Sequence, residues 1–100
     1  MRSRYSAYAY HLANYIIATT HPENPRFSRN QQEILQFCQS TQFKGLQILD
    51  FQEKEEVATV TFAAYLLQNS KDASFCEKSL FCKVKGRWLY RDALEINSIQ

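Results

Sequence analysis

The sequence predicts an α+β fold in which two N-terminal helices pack on a curved, four-stranded antiparallel sheet. Three observations carry that expectation. Apolar residues recur at helical spacing in the first forty positions, strict alternation begins at Val57, and two aromatic-rich runs flank Lys85-Gly86 near the end. Helices segregated from strands along a chain are the mark of an α+β arrangement rather than of alternating α/β units.

From Ser3 to about Ala18, Tyr5, Tyr8, Ala9, Leu12, Ala13, Ile16 and Ile17 fall on one broad face, which predicts a single long amphipathic helix. It should end near Thr19, because His21 precedes Pro22 and is pushed out of the helical region. Arg2 and Arg4 place positive charge where the helix dipole is already positive. Either these arginines turn back to meet carboxylates, with Glu77 and Asp92 as candidates, or the native helix begins upstream of Met1.

The segment 21–27 is rich in turn formers and reads as a loop. Ser28 and Gln31 can form a capping box for a second helix through Ile34, Leu35, Phe37 and Cys38, ending near Thr41. Extended structure follows from Leu46, and the change of parity between Ile48 and Leu49 suggests a bulge or a strand covered on both faces. Residues 52–56 read as a turn. Val57 to Leu67 is the clearest strand, with Ala58, Val60, Phe62, Ala64 and Leu66 on one face. Residues 68–72 then connect to the hairpin of 75–92, and 94–100 form a tail or a strand end.

If Lys85-Gly86 is a two-residue loop, Val84 faces Arg87, Phe81 faces Tyr90 and Ser79 faces Asp92. Glu77, Ser79, Phe81, Lys83, Trp88, Tyr90 and Asp92 then share a face, with Glu77 diagonal to Asp92 at about 7–8 Å. That face supplies the candidate binding residues, Arg4, Tyr5, Glu77, Ser79, Phe81, Trp88, Tyr90 and Asp92. An aromatic wall with a few convergent polar groups is how small-molecule sites are usually built. The competing reading is that the same rings simply fill a core. A bulge near the turn would break the grouping.

Composition narrows the classes. One hundred residues, 45% hydrophobic, suit one compact domain spanning 1–100. A formal charge of +2, without a basic run interleaved with aromatics, does not suggest nucleic acid. Three cysteines, Cys38, Cys76 and Cys82, with only His11 and His21 beside them, suggest neither a disulfide framework nor a metal site, and no cofactor is expected. No run approaches the ~18–20 apolar residues that span a bilayer, so a cytoplasmic protein is expected, with no membrane partner.

Several pieces also resemble a known family. They are Met1 to Tyr8, Asn14-Tyr15 with Thr19-Thr20-His21-Pro22, Phe43-Lys44-Gly45-Leu46, Val60 to Ala64, Glu77 to Phe81 and Trp88 to Asp92. Together they are similar to the YchJ-like family of uncharacterised bacterial proteins, from the first residue to about Ala93. The resemblance implies a nuclear-transport-factor-2-like, or cystatin-like, cone: helices packed into the concavity of a bent antiparallel sheet. Family members commonly carry cysteine-rich SEC-C zinc motifs on both sides of this domain, and neither motif lies within these 100 residues. Thr20 stands where the family usually has tryptophan, and Ala93 where it usually has glycine. The resemblance supplies no catalytic residues.

With no phosphate loop, activated nucleophile or metal spacing, the expected function is a non-catalytic binding or interaction module. Its partner would be a small molecule or peptide on the concave sheet face, or a second copy of the chain. The alternative is a small isomerase- or dehydratase-like enzyme. Glu77 or Asp92 would be its base, and Tyr90 or Tyr5 would donate a hydrogen bond to a developing oxyanion.

Overall fold

The computed structural model describes residues 1–24, 27 and 29–99. Three helices, α1 (Arg2–Ala9), α2 (Ala13–Ala18) and α3 (Gln31–Gln39), precede five strands. The strands are β1 (Thr41–Lys54), β2 (Val57–Gln68), β3 (Lys71–Asp72), β4 (Phe75–Val84) and β5 (Arg87–Ser98). The sheet order is β1-β2-β4-β5, all antiparallel, with the two-residue β3 pairing beside β2. The expected sheet of four strands is therefore present, and β3 is a fifth.

The single long helix predicted at the N-terminus is two helices. His11 takes φ 61°, a left-handed conformation that no helix continues through, and it turns the chain between α1 and α2. The elbow brings Ala7, Ala13 and Ile16 together with Ile34 and Cys38 of α3 in one small buried cluster. A straight helix would have carried Ala13 and Ile16 past the end of that cluster. The α3 cap also differs from expectation. Asn30 is the N-cap, its Oδ1 accepting from the backbone N–H of Gln32 and Glu33, so Gln31 opens the helix rather than sitting three residues in. The expected role of Ser28 lies outside the described residues.

The main core lies between these helices and the concave face of the sheet. Ala58, Val60, Phe62, Ala64 and Leu66 of β2 are all buried there with Phe81 of β4, as the alternation predicts. β1 begins at Thr41, five residues before the sequence reading placed it, and runs to Lys54. Its register slips at Lys44 and Leu49, the second being the predicted parity change. Two such bulges in one long strand bend the sheet. Residues 94–98, expected as a tail or strand end, continue β5.

Tight turns fix the hairpins. Lys85 and Gly86, at φ 52° and 79°, close β4–β5, and Asn69 and Ser70, at 52° and 67°, close β2–β3. Both have the two successive left-handed residues of a type I′ turn, whose twist matches that of the strands. On the outer edge of β5, Tyr90 donates to the Thr19 carbonyl and accepts from the His21 amide, each at 2.8 Å. The C-terminal end of α2 is thereby clipped to the sheet beside a β5 bulge, and part of an otherwise open edge is covered.

Candidate functional site

Between the helices and the bent sheet lies a cavity of about 330 Å³. Its walls are largely aromatic, with Tyr5 and Tyr8 from α1, Phe43 from β1, Phe62 from β2, Phe75 from β4 and Tyr90 from β5. Tyr5 meets Phe43 edge-on at 5.7 Å between centroids, and Phe62 meets Phe75 at 5.9 Å. Five residues of the sequence-predicted set line the cavity: Arg4, Tyr5, Glu77, Ser79 and Tyr90.

Glu77 is the chemical centre. It faces inward because β4 alternates and Glu77, Ser79 and Phe81 share its concave side, all buried. One carboxylate oxygen, Oε2, accepts from the Ser79 hydroxyl and from the Tyr90 hydroxyl, the latter at 2.9 Å. The other, Oε1, has no hydrogen-bond partner among the described residues, and Glu77 is part of the cavity lining. Burial drives the Tyr90 pKa far above that of an ordinary tyrosine, and the Glu77 charge beside it adds to the shift. Tyr90 therefore stays a hydrogen-bond donor at any physiological pH.

Arg4 is 5% exposed. Its Nη1 donates to the Ile16 carbonyl at 3.2 Å and to the hydroxyls of Thr19 and Thr20 at 2.7 and 3.0 Å. Those groups form the C-terminal end of α2, the negative end of its dipole, so an arginine unfavourably placed on its own helix is favourably placed on the next. The guanidinium also lies 4.9 Å from the centre of the Tyr90 ring. Burial lowers the Arg4 pKa, while Tyr8, Tyr90 and Glu77 act to raise it, and the group remains a cation. The expectation that Arg4 turns back onto Glu77 or Asp92 is thus corrected, since its hydrogen bonds run to α2 and it reaches Glu77 only through space.

Tyr5 contributes an enclosed hydroxyl with no hydrogen bond of normal geometry. Burial pushes its pKa up, and the nearby Gly45 amide offsets only part of this. Burial likewise raises Tyr8.

Three of the predicted residues are placed elsewhere. Phe81 and Trp88 line a second, smaller hollow of about 190 Å³, with Arg4 forming part of both walls. Asp92 does not face Ser79. A register slip after Phe81↔Tyr90 leaves Arg91 as an extra residue and sets Asp92 opposite Leu80, on the other side of the sheet. Ala93 then faces Ser79, and a second slip at Leu94 restores the parity, so that Ile96 faces Glu77. The diagonal carboxylate pair is therefore not formed, and Asp92 instead accepts from the Ala93 amide at 2.8 Å. The reading from sequence missed Tyr8, Phe43, Phe62 and Phe75 as cavity walls. The alternation of β2 could have found Phe62, but Phe43 and Tyr8 depend on the β1 bulge and the helix elbow.

Among the described residues, no group of three or more His, Cys, Asp or Glu side chains is placed to hold a metal ion. No helix among them is long and apolar enough to cross a membrane.

A bent antiparallel sheet closed over by N-terminal helices, with a cavity in its mouth, is the architecture of the NTF2-like class. Residues 1–93 match the family model described as the YchJ middle NTF2-like domain, and the chain belongs to that family. It is 32% identical over 94 residues to the UPF0225 protein YchJ of Shigella dysenteriae, a match covering 92% of this chain and 61% of that protein's length. Among solved structures it resembles a SEC-C motif containing protein from Rhodopseudomonas palustris, with TM-score 0.81 and 32% identity over all of this chain and 76% of that one. A second SEC-C motif containing protein, from Psychrobacter arcticus, aligns with TM-score 0.75 and 26% identity over all of this chain and 60% of that one.

Proposed function

We propose that this domain is a non-catalytic binding module that holds a small ligand in the cavity of its cone. The observation that carries the reading is the cavity itself. A concave space of about 330 Å³, walled by aromatic side chains and holding a few polar groups, Arg4, Glu77 and Ser79 among them, is how small-molecule sites are built. The volume lies at the small end of the roughly 300–1,000 Å³ range of ligand pockets, which favours a compact ligand over a peptide.

Native mass spectrometry on protein purified from its own cells tests the proposal. A reproducible small-mass adduct is expected on the natural chain and not on Ala64→Phe, which fills the cavity from the β2 side. A bare chain in both would overturn it.

A second reading, self-association, rests on Leu94 and Ile96 of the edge strand β5, which are 48% and 53% exposed. Gel filtration with light scattering at micromolar concentration decides it, a monomeric mass removing the reading.

A further inference from the structure

From the make-up of the cavity walls we infer the chemical class of the ligand: a neutral molecule with a compact, mostly apolar body of one or two rings. The inference rests on the binding-module reading above and specifies it.

Charge decides the first part. Arg4 and Glu77, both buried, bring opposite charges to the same lining. Glu33, the other carboxylate there, is exposed to solvent, where its charge is screened. A cation entering the cavity is therefore drawn to one buried group and repelled by the other, and so is an anion. Either would shed its water for little net attraction, and burying an ion without a dedicated partner is costly.

Hydrogen bonding leaves the same balance. Arg4 Nη1 donates to three oxygens of α2, and Ser79 and Tyr90 turn their hydroxyls to Glu77. The capacity left on the two charged groups is of opposite kinds, since a guanidinium only donates and a carboxylate only accepts. Neither a donor nor an acceptor is singled out, so the polar set does not outweigh the cost of burying a charge.

The rest of the wall is apolar. Apart from Arg4, Glu33, Glu77 and Ser79, every lining side chain is aliphatic or aromatic. Tyr8 meets Phe37 at 77° and Phe62 meets Phe75 at 73°, an edge-to-face arrangement that a further ring can extend. Affinity here comes mainly from apolar surface taken out of water. An apolar cavity of about 150 Å³ takes benzene. At about 330 Å³ this one is roughly twice that size, which is room for two fused rings.

The test uses four probes at pH 7. Three share one body and differ in charge: indole-3-acetamide is neutral, indole-3-acetate an anion and tryptamine a cation. The fourth, glucose, is neutral but polar throughout. Each is titrated into the isotope-labelled natural chain and followed by backbone amide shifts. The acetamide should bind at least about tenfold more tightly than each of the other three. If any of the three comes within that margin, the neutral apolar assignment is overturned while the binding cavity stands. If no probe moves the backbone amides of Tyr5, Phe43, Glu77 and Tyr90, both the assignment and the binding reading fall. The comparison needs only the natural chain, so it does not depend on a variant that folds.

Discussion

Replacing Arg4 by methionine keeps most of the buried volume and removes the charge. Three hydrogen bonds from Nη1, at 2.7, 3.0 and 3.2 Å, are lost, along with the contact to the Tyr90 ring. The oxygens left behind are not all stranded, because the Thr20 hydroxyl still donates to the Ile16 carbonyl at 2.8 Å and that of Thr19 to the Tyr15 carbonyl at 2.8 Å. Each buried hydrogen bond from a charged donor is typically worth about 1.5–3 kcal/mol, so the three together carry the loss. Glu77, 8% exposed, also loses the through-space attraction of the Arg4 charge. At roughly 4–8 °C per kcal/mol for a domain of this size, the melting temperature should fall by at least about 12 °C. Urea unfolding followed by the fluorescence of Trp88, the only tryptophan, measures the change. The double variant Arg4→Met, Glu77→Gln should recover at least about 1 kcal/mol relative to the sum of the single changes, because the two charges are coupled. A loss below 1 kcal/mol for Arg4→Met, or strict additivity in the double variant, would refute the account of Arg4 as the charge that ties α2 to the site.

Four further outcomes follow from the same structure. Tyr90, Tyr8 and Tyr5 have pKa values raised above the unfolded value of about 10. The folded state therefore holds protons that the unfolded state gives up, and stability should fall as pH rises above ~10, with Tyr90→Phe flattening that fall in urea midpoints from pH 8 to 11. Burial of Cys38 (1% exposed) raises its thiol pKa, so a thiol reagent should modify the half-buried Cys76 and Cys82 first and Cys38 only on unfolding, as counted by mass. Asn30→Ala should cost about 1 kcal/mol by removing the α3 cap, read as a shift in urea midpoint at unchanged slope. Lys85→Asn should stabilise by roughly 0.5–1 kcal/mol, because asparagine tolerates the left-handed conformation that Lys85 adopts before Gly86. Thermal melts would show this as a higher midpoint.

What could be read from the sequence was whatever local pattern alone determines. The β2 alternation named the buried face, Lys85-Gly86 named the last hairpin, and the parity change at Leu49 named a bulge. Each depends on a few adjacent residues. The break at His11 left no such sign, since Tyr10, His11 and Leu12 include neither glycine nor proline and the helical periodicity runs on through them. It is the packing of Ala13 and Ile16 against α3 that bends the chain there. The site was legible as far as the register held. Glu77, Ser79 and Tyr90 meet as the hairpin predicts, but the slip at Arg91 carries Asp92 to the other face, and one inserted residue is enough to do that. Arg4 was read on its own helix, where its charge is unfavourable. Its place at the end of α2 follows from the elbow and could be seen only in three dimensions.

The central claim is that the cone cavity is a binding site. Its most direct test is an amide chemical-shift map of the labelled natural chain against fractionated small-molecule extract of its own cells. The account predicts a fraction that moves the amides of Tyr5, Phe43, Glu77 and Tyr90 together and leaves the outer-face residues Thr59, Thr61 and Tyr65 still. Shifts confined to the outer face, or none in any fraction, would contradict it.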